Sequence, residues 1–164
     1  MRALRAIMAT RGSRDVVYVD ESGFELDSPC LYGWAPRGVR VYGERSGSRR
    51  PRQNLIAARR RGAFLAPLII GGTITSHLFE RWLTEHLFRQ LRPRSTLVMD
   101  NAPFHRKERL RPLAQEHGHS LLFLPPYSPD FNTIEHDFAA LKKRWAYSPP
   151  GTVLDDIVAT YQPA

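Results

Sequence analysis

The sequence predicts an α/β fold with a mixed sheet of about five strands and helices on both faces. The chain has 164 residues, 42% of them hydrophobic, which suits one domain with a sizeable core. Strand-like runs come first, and strands then alternate with helical patterns, as expected for antiparallel strands followed by crossover connections. We expect a basic lead at 1–14, one main domain at 15–147 and a C-terminal tail at 148–164.

The first half of the chain predicts strands and turns. Residues 16–20 form a short, almost wholly apolar run of the kind buried at the centre of a sheet, and we expect this strand to end at Asp20. A Pro-Arg-Gly turn within Trp34–Tyr42 indicates two short strands. An Arg-Gly turn between Asn54–Ala58 and Phe64–Ile70 indicates a hairpin.

The second half of the chain predicts helices alternating with short strands. Ser76 is a good N-cap for a helix whose apolar stripe reaches Leu91, and Pro93 ends that helix. Gly118 suits the C-terminal cap of a second helix. The remaining elements are a strand at 96–99, a helix at 106–117, a strand at 121–124, and a helix from Asn132 to Trp145 with one short helical turn beyond it.

The charge indicates an acidic polymer as partner. Lysine and arginine number 24 against 16 acidic residues, a net charge of +8, and nucleic acid is the leading candidate. The single cysteine excludes an internal disulfide and a thiolate-rich zinc site. We find neither a signal peptide nor a run of about 18 apolar residues, so we expect a cytoplasmic protein with no membrane segment.

Three acidic residues stand where regular elements begin or end. Asp20 and Asp100 each follow a strand-like run, and we expect these two strands to be neighbours near the middle of the sheet. Glu135 lies in the first turn of a predicted helix. Carboxylates are suited to magnesium, and three of them can hold two ions that assist displacement at phosphorus. The three acids therefore predict one shared metal site.

Each acid also has a simpler interpretation. Asp20 could merely end a strand, and Asp100 could form an Asx turn with the residues after it. Glu135 stands three residues after Asn132, a spacing that suits a capping box. Taken together, the three positions favour a common site over three independent coincidences.

Basic residues cluster before and within the predicted hairpin and in the last long helix. Arginines can contact phosphates, although ordinary surface charge is the alternative. His105 follows Asp100 by five residues and could face the same site or lie on the surface. The candidate DNA contacts are Arg49, Arg50, Arg52, Arg59, Arg60, Arg61, His105, Lys142 and Lys143.

Three strings resemble the DDE transposases of bacterial insertion sequences related to the Tc/mariner superfamily. They are VYVDESGF at 17–24, VMDNAPFH at 98–105 and PPYSPDFNTIEHDFAALKKR at 125–144, and 34 residues lie between Asp100 and Glu135, the family's spacing. The resemblance implies a ribonuclease-H-like fold, with Asp20, Asp100 and Glu135 as the catalytic residues. It also implies two Mg²⁺ or Mn²⁺ ions, cleavage at transposon ends, strand transfer into target DNA, and a bacterial, nucleoid-associated protein.

The sequence departs from the family pattern in two places. Thr133 stands where the family usually has proline. Members also carry an N-terminal helix-turn-helix that recognises the transposon ends, and we expect this region to be separate or missing here, with a homodimer as one assembly to test. The alternatives are a non-catalytic DNA-binding remnant and a ribonuclease-H-like nuclease with another duty.

Overall fold

The computed structural model describes residues 16–25, 35–40, 42, 52–125, 132–149 and 151–163. The predicted basic lead and the candidate contacts Arg49 and Arg50 lie outside these residues. Of the strand pair predicted at Trp34–Tyr42, residues 35–40 and 42 are described, and they form a turn but no strand. The turn of that strand pair is described: the Val39 N–H donates to the Pro36 carbonyl at 3.0 Å, and Gly38 supplies the positive φ of 91°.

The strands form one mixed sheet. Its strands are β1 Val16–Glu25, β2 Arg52–Arg60, β3 Ala63–Gly71, β4 Thr96–Met99 and β5 Ser120–Phe123. Their order across the sheet is β3-β2-β1-β4-β5, in which β1 pairs antiparallel with β2 and parallel with β4. The prediction of five strands in a mixed sheet, with the Asp20 and Asp100 strands adjacent near its middle, is confirmed.

The helices follow the predicted order. The first continues beyond Trp82 as a π-helical turn and a short 3₁₀ turn that ends at Gln90. Its N-cap is Thr75 rather than the predicted Ser76, because the Thr75 hydroxyl accepts the Leu78 N–H. Of the helices in the described ranges, none is long and apolar enough to cross a bilayer. The helices are α1 Ser76–Trp82, α2 Lys107–Glu116, α3 Ile134–Ala146 and α4 Leu154–Ala159.

Strand β1 is longer than the sequence predicts. It does not end at Asp20 but continues to Glu25, because its antiparallel pairing with β2 extends to the pair Glu25 and Arg52. Its parallel pairing with β4 stops earlier, at Tyr18 and Val98. Asp20 therefore lies in the middle of β1. At this position β1 is still paired with β2 but is no longer paired with β4.

The alternation of side chains along β1 divides the core into two layers. Val17 and Val19 pack on the side of α1 and α2, and Phe24 packs on the side of α3 and α4. Phe79 and Trp82 dominate the first layer, and the Trp82 indole donates to the Ala66 carbonyl at 2.8 Å. The prediction of helices on both faces of the sheet is confirmed.

The last helix belongs to the folded domain. Leu154, Ile157 and Val158 of α4 are buried in the same layer as Phe138 of α3. The boundary predicted at residue 147 is therefore too early, because the segment interpreted as a tail contributes to this core.

Candidate active site

The register of two parallel strands brings Asp20 and Asp100 to the same level of the sheet. Val16 pairs with Thr96 and Tyr18 pairs with Val98, so each residue of β1 is level with the residue 80 positions later in the chain. Extended by two residues, this register places Asp20 level with Asp100. In parallel strands, the carboxyl ends open at one edge, where α/β proteins usually bind ligands. Asp20 and Asp100, which are 80 positions apart in the chain, thus lie at the same level, just beyond the last pair of β1 and β4.

Glu135 reaches the site from α3. It shares with Asp20 the wall of a cavity of about 420 Å³ between β1 and the first two turns of α3. Position 20 has the same parity as Phe24, whose side chain packs against α3, so Asp20 faces this helix. The cavity is lined by Asp20, Glu21, Ser22, Glu135, Phe138, Ala139 and Lys142.

The charges of the other two predicted acids act on Asp20. Burial raises the pKa of Asp20 to about 7, and the charges of Asp100 and Glu135 contribute to the rise. The Glu21 backbone N–H donates to Asp20 at 2.8 Å, and this bond and the Lys142 charge act in the opposite direction on the same pKa. The cluster therefore concentrates negative charge that a cation would neutralise.

Asn132 contacts Asp20 and does not cap the helix with its side chain. Its side-chain amide donates to Asp20 Oδ2 at 3.0 Å, while its backbone carbonyl accepts the Glu135 N–H. The N-cap position belongs to Thr133, which makes no side-chain capping bond. The capping-box interpretation of Glu135 is therefore not supported, and Asn132 joins the start of α3 to β1.

Asp100 makes the Asx turn that its sequence allows, and it also has a histidine partner. One carboxylate oxygen, Oδ1, accepts the Ala102 N–H at 2.9 Å and lies 3.1 Å from His105 Nδ1. The bond from His105 holds the pKa of Asp100 below its usual value, and the Ala102 bond adds to this effect. With 53% of its side chain exposed, Asp100 can turn its other oxygen, Oδ2, to a ligand.

Among the described residues, the donor atoms that lie close enough together to share one ion form a different group, which includes Glu21 on the other face of β1. Glu21, Asp100 and His105 place one donor atom each within 4.8 Å of one another. Burial, with smaller contributions from the charges of Asp20 and Asp100, raises the pKa of Glu21 to about 8. Since Asp20 and Glu21 are consecutive in a strand, they point to opposite faces, and Asp100 lies between them.

The candidate DNA contacts separate into different environments. Lys142 lines the cavity with Asp20, and Lys143 is exposed on the same helix. Arg59 donates to the buried Asp137 at 2.6 Å, which argues against its predicted role at DNA. The His105 side chain has 0% exposure, which argues against a phosphate contact.

The other arginines among the candidate DNA contacts that the structure describes lie away from the three acids. Arg60 ends β2, and Arg61 lies in the turn at the tip of the hairpin. Because Asp20 pairs with Ala57, Arg61 is about 13 Å along the strand direction from the level of Asp20. Arg52 is exposed and lies near the other end of β1. Its guanidinium packs over Gly23, so close that a Cβ added to Gly23 would lie 1.9 Å from it.

Sequence reasoning missed two contributors to the site. Glu21 follows Asp20 directly, and the only signal for its role was the pair of adjacent acids within an apolar strand. Asn132 was recognised as a cap candidate, but its bond to Asp20 joins residues 112 positions apart. No local pattern predicts such a contact.

The donor set fits a divalent cation. Asp20, Asp100 and Glu135 offer hard oxygen ligands, and the burial of Asp20 among like charges creates a site that a cation would stabilise. Asn101 Oδ1 beside Asp100 is buried and has no hydrogen-bond partner among the described residues. The fit is better for Mg²⁺ or Mn²⁺ than for a soft metal, since no thiolate lies among these groups.

Comparisons with solved structures identify the fold. A Mos1 mariner paired-end complex with Mn matches with a TM-score of 0.78 and 19% identity over 98% of this chain and 53% of that chain. The Mos1 paired-end complex with the left transposon end gives 0.76 and 16% over 99% and 53%. The Mos1 catalytic domain gives 0.64 and 16% over 98% and 78%.

These matches confirm the predicted ribonuclease-H-like fold, and this chain spans about half the length of the transposase chains in the complexes. A sequence comparison with curated proteins finds no match. The family model described as DDE superfamily endonuclease matches residues 15–155, which include all three predicted acids. The chain therefore belongs to the DDE superfamily endonuclease family.

Proposed function

We propose that this chain is the catalytic domain of a Tc/mariner-type transposase, a metal-dependent enzyme that cuts DNA at transposon ends and joins the ends to target DNA. The observation that supports the proposal is the register of β1 and β4, which aligns Asp20 with Asp100, together with the cavity that Asp20 and Glu135 both line. Family membership supports the endonuclease activity, and the likeness to Mos1 complexes supports the transposase assignment.

Asp20, Asp100 and Glu135 would hold the metal. When bound, Mg²⁺ or Mn²⁺ ions polarise the phosphodiester and lower the pKa of the attacking hydroxyl group. Two Mos1 complexes are described with Mn and with Mg, which supports this choice of metals, and three carboxylates are enough for the two ions that we propose.

The residues of the chain supply position and charge. Asn132 restrains Asp20, so the carboxylate has little freedom to lose when a ligand binds. Lys142, on the wall of the same cavity, places a positive charge where a phosphate would enter. Each chemical step replaces one P–O bond with another: water first displaces the 3′ oxygen, which leaves with a proton, and the resulting 3′ hydroxyl then displaces a 3′ oxygen of the target strand.

DNA is the proposed partner, at both the transposon ends and the target. The net charge of +8 supports it, as do the Mos1 complexes with a transposon end. We propose that recognition of the ends requires a helix-turn-helix region outside the described residues, and that two copies act together. The site of action would be the bacterial nucleoid.

The test is nicking of supercoiled DNA with Mg²⁺ or Mn²⁺, comparing the wild type with Asp100→Asn. We expect nicking by the wild type and at least a hundredfold loss in the variant, with little change in melting temperature or in salt-sensitive DNA binding, because that binding rests on basic residues. Cleavage retained by Asp100→Asn would contradict the assignment of the triad. DNA binding by a wild type that neither binds metal nor nicks would identify a non-catalytic remnant.

A further inference from the structure

His105 occupies an unusual place for a polar side chain. Its ring has 0% exposure and packs against two aromatic rings, with centroids 4.4 Å from Phe79 and 4.5 Å from Phe104. The segment that carries it turns back on itself, since the His105 N–H donates to the Ala102 carbonyl at 2.9 Å. The imidazole is thus held in a fixed orientation by the α1 side of the core.

The side of the ring that faces Asp100 meets only acceptors. Nδ1 lies 3.1 Å from Asp100 Oδ1 and 3.3 Å from the Asp100 backbone carbonyl. Because both are acceptors, Nδ1 must carry a proton and donate it. A buried ring that donates to Oδ1, together with the Ala102 N–H, leaves Oδ2 as the oxygen available to a ligand.

The far side of the ring faces Glu21. His105 Nε2 lies 3.7 Å from Glu21 Oε2, and neither atom has a hydrogen-bond partner among the residues that the structure describes. This distance is too long for a hydrogen bond. The ring is therefore anchored by packing and by its Nδ1 contacts, and Asp100 is its polar partner at close range.

We propose that His105 is a positioning residue that fixes the carboxylate of Asp100 for metal binding. It does not touch DNA or the metal itself, and this role replaces the phosphate contact predicted from the sequence. A histidine bound to a carboxylate ligand sets the orientation of that ligand, and loss of such a partner typically weakens metal affinity 10- to 100-fold. The inference rests on the proposed function, since it takes Asp100 as a metal ligand.

The decisive variants separate the two ring nitrogens. In His105→Asn, an amide nitrogen stands near the Nδ1 position and can still donate to Asp100. In His105→Gln, the amide reaches toward the Nε2 position and that bond is lost, and His105→Phe keeps the ring without any donor. Titration of the purified full chain with MnCl₂ by calorimetry should give affinities near the wild type for Asn and about 10- to 100-fold weaker for Gln and Phe.

A metal-free measurement gives an independent readout. Nitrogen-15 NMR of the histidine side chains should show a proton on Nδ1 of His105, and Asp100→Ala should change that signal more than any other histidine signal. A ring protonated only on Nε2 would overturn the proposal. The proposal would also be overturned if His105→Phe bound Mn²⁺ as tightly as the wild type, or if His105→Gln kept Mn²⁺ affinity and His105→Asn did not. If His105→Phe fails to fold, the comparison of His105→Asn with His105→Gln decides between the outcomes.

The variant Asp100→Asn distinguishes a failure of this inference from a failure of the proposed function. If that variant binds Mn²⁺ normally, Asp100 is not a ligand and the proposed function fails. If Asp100→Asn loses Mn²⁺ while His105→Phe keeps it, the triad stands and only the role of His105 fails.

Discussion

The Asn132 side chain donates a hydrogen bond of 3.0 Å to Asp20 Oδ2, and this bond joins the two elements that carry Asp20 and Glu135. Asn132 is buried and lies just before the first turn of α3. Its backbone carbonyl also accepts the Glu135 N–H, so one residue restrains both acids. The site is thereby partly ordered before any ligand binds, which lowers the cost of binding.

The first prediction concerns this bond. Asn132→Ala should weaken Mn²⁺ affinity by about tenfold, because Asp20 loses the partner that orients it. Calorimetric titration measures the effect. Thr133→Ala is the matched control, since Thr133 is the adjacent N-cap residue and makes no side-chain capping bond. Equal affinities for the two variants would mean that Asn132 does not organise the site.

The position of the acids could be predicted from the sequence, and their partners could not. The apolar runs before Asp20 and Asp100 predict two buried neighbouring strands, and parallel pairing aligns their ends. The extension of β1 to Glu25 was missed because Ser22 and Gly23 look like a turn, whereas pairing with β2 holds them in a strand. Propensity is a weak guide where a partner strand supplies the hydrogen bonds.

The second prediction is a loss of stability of the metal-free protein as pH rises. The pKa of Asp20 is raised from 3.8 to about 7 by burial, with Asp100 and Glu135 adding to the rise and Lys142 opposing it. The folded state keeps this proton at pH values where the unfolded state has released it, so the contribution is complete below about pH 4 and is lost as pH rises through about 7. Glu21, with a pKa raised to about 8, acts in the same direction.

Melting temperatures in EDTA from pH 5 to pH 8.5 test this dependence. Asp20→Asn should flatten the decline, because an amide has no proton to lose, and saturating Mn²⁺ should also reduce the decline in the wild type, because the cation replaces the proton. A metal-free wild type whose stability rises over this range would contradict the burial of these carboxyl groups.

The third prediction separates two adjacent lysines. Both lysines are exposed, but Lys142 lines the cavity and lowers the pKa of Asp20, whereas Lys143, one position further along α3, is not among the residues that line the cavity. Lys142→Ala should lower the rate of metal-dependent nicking at least tenfold, since a positive charge at the reacting phosphate is lost. Lys143→Ala should change the nicking rate less than threefold while reducing the salt dependence of DNA binding. Equal losses of nicking in both variants would refute this distinction.

Arginine positions show the limit of charge as a guide to function. The run Arg59, Arg60 and Arg61 looks uniform in the sequence, but alternation along β2 gives each side chain its own surroundings. Arg59 is 17% exposed and paired with Asp137, which is 1% exposed, whereas Arg61 lies on the exposed hairpin tip with φ of 51°. The ion pair between Arg59 and Asp137 depends on where α3 crosses the sheet. A count of charges along the sequence gives no information about that crossing.

The fourth prediction follows from that buried pair. Asp137 Oδ2 accepts from Arg59 at 2.6 Å, and Oδ1 accepts from the Tyr161 hydroxyl at 2.6 Å. Burial, with the bond to Asp137, raises the pKa of Tyr161 above its usual value, so the hydroxyl remains a donor. The three side chains connect β2, α3 and the segment after α4.

Arg59→Met should destabilise the protein by about 3–5 kcal/mol, because Asp137 would stay buried without its charged partner. Tyr161→Phe should cost about 1.5–3 kcal/mol, the contribution of a hydrogen bond to a charged group. Arg61→Met is the control and should change stability by less than about 0.5 kcal/mol. Urea unfolding of the three variants measures these values, and DNA binding at temperatures where each is folded should fall for Arg61→Met but not for Arg59→Met. A stable Arg59→Met protein with weakened DNA binding would instead place Arg59 at the DNA.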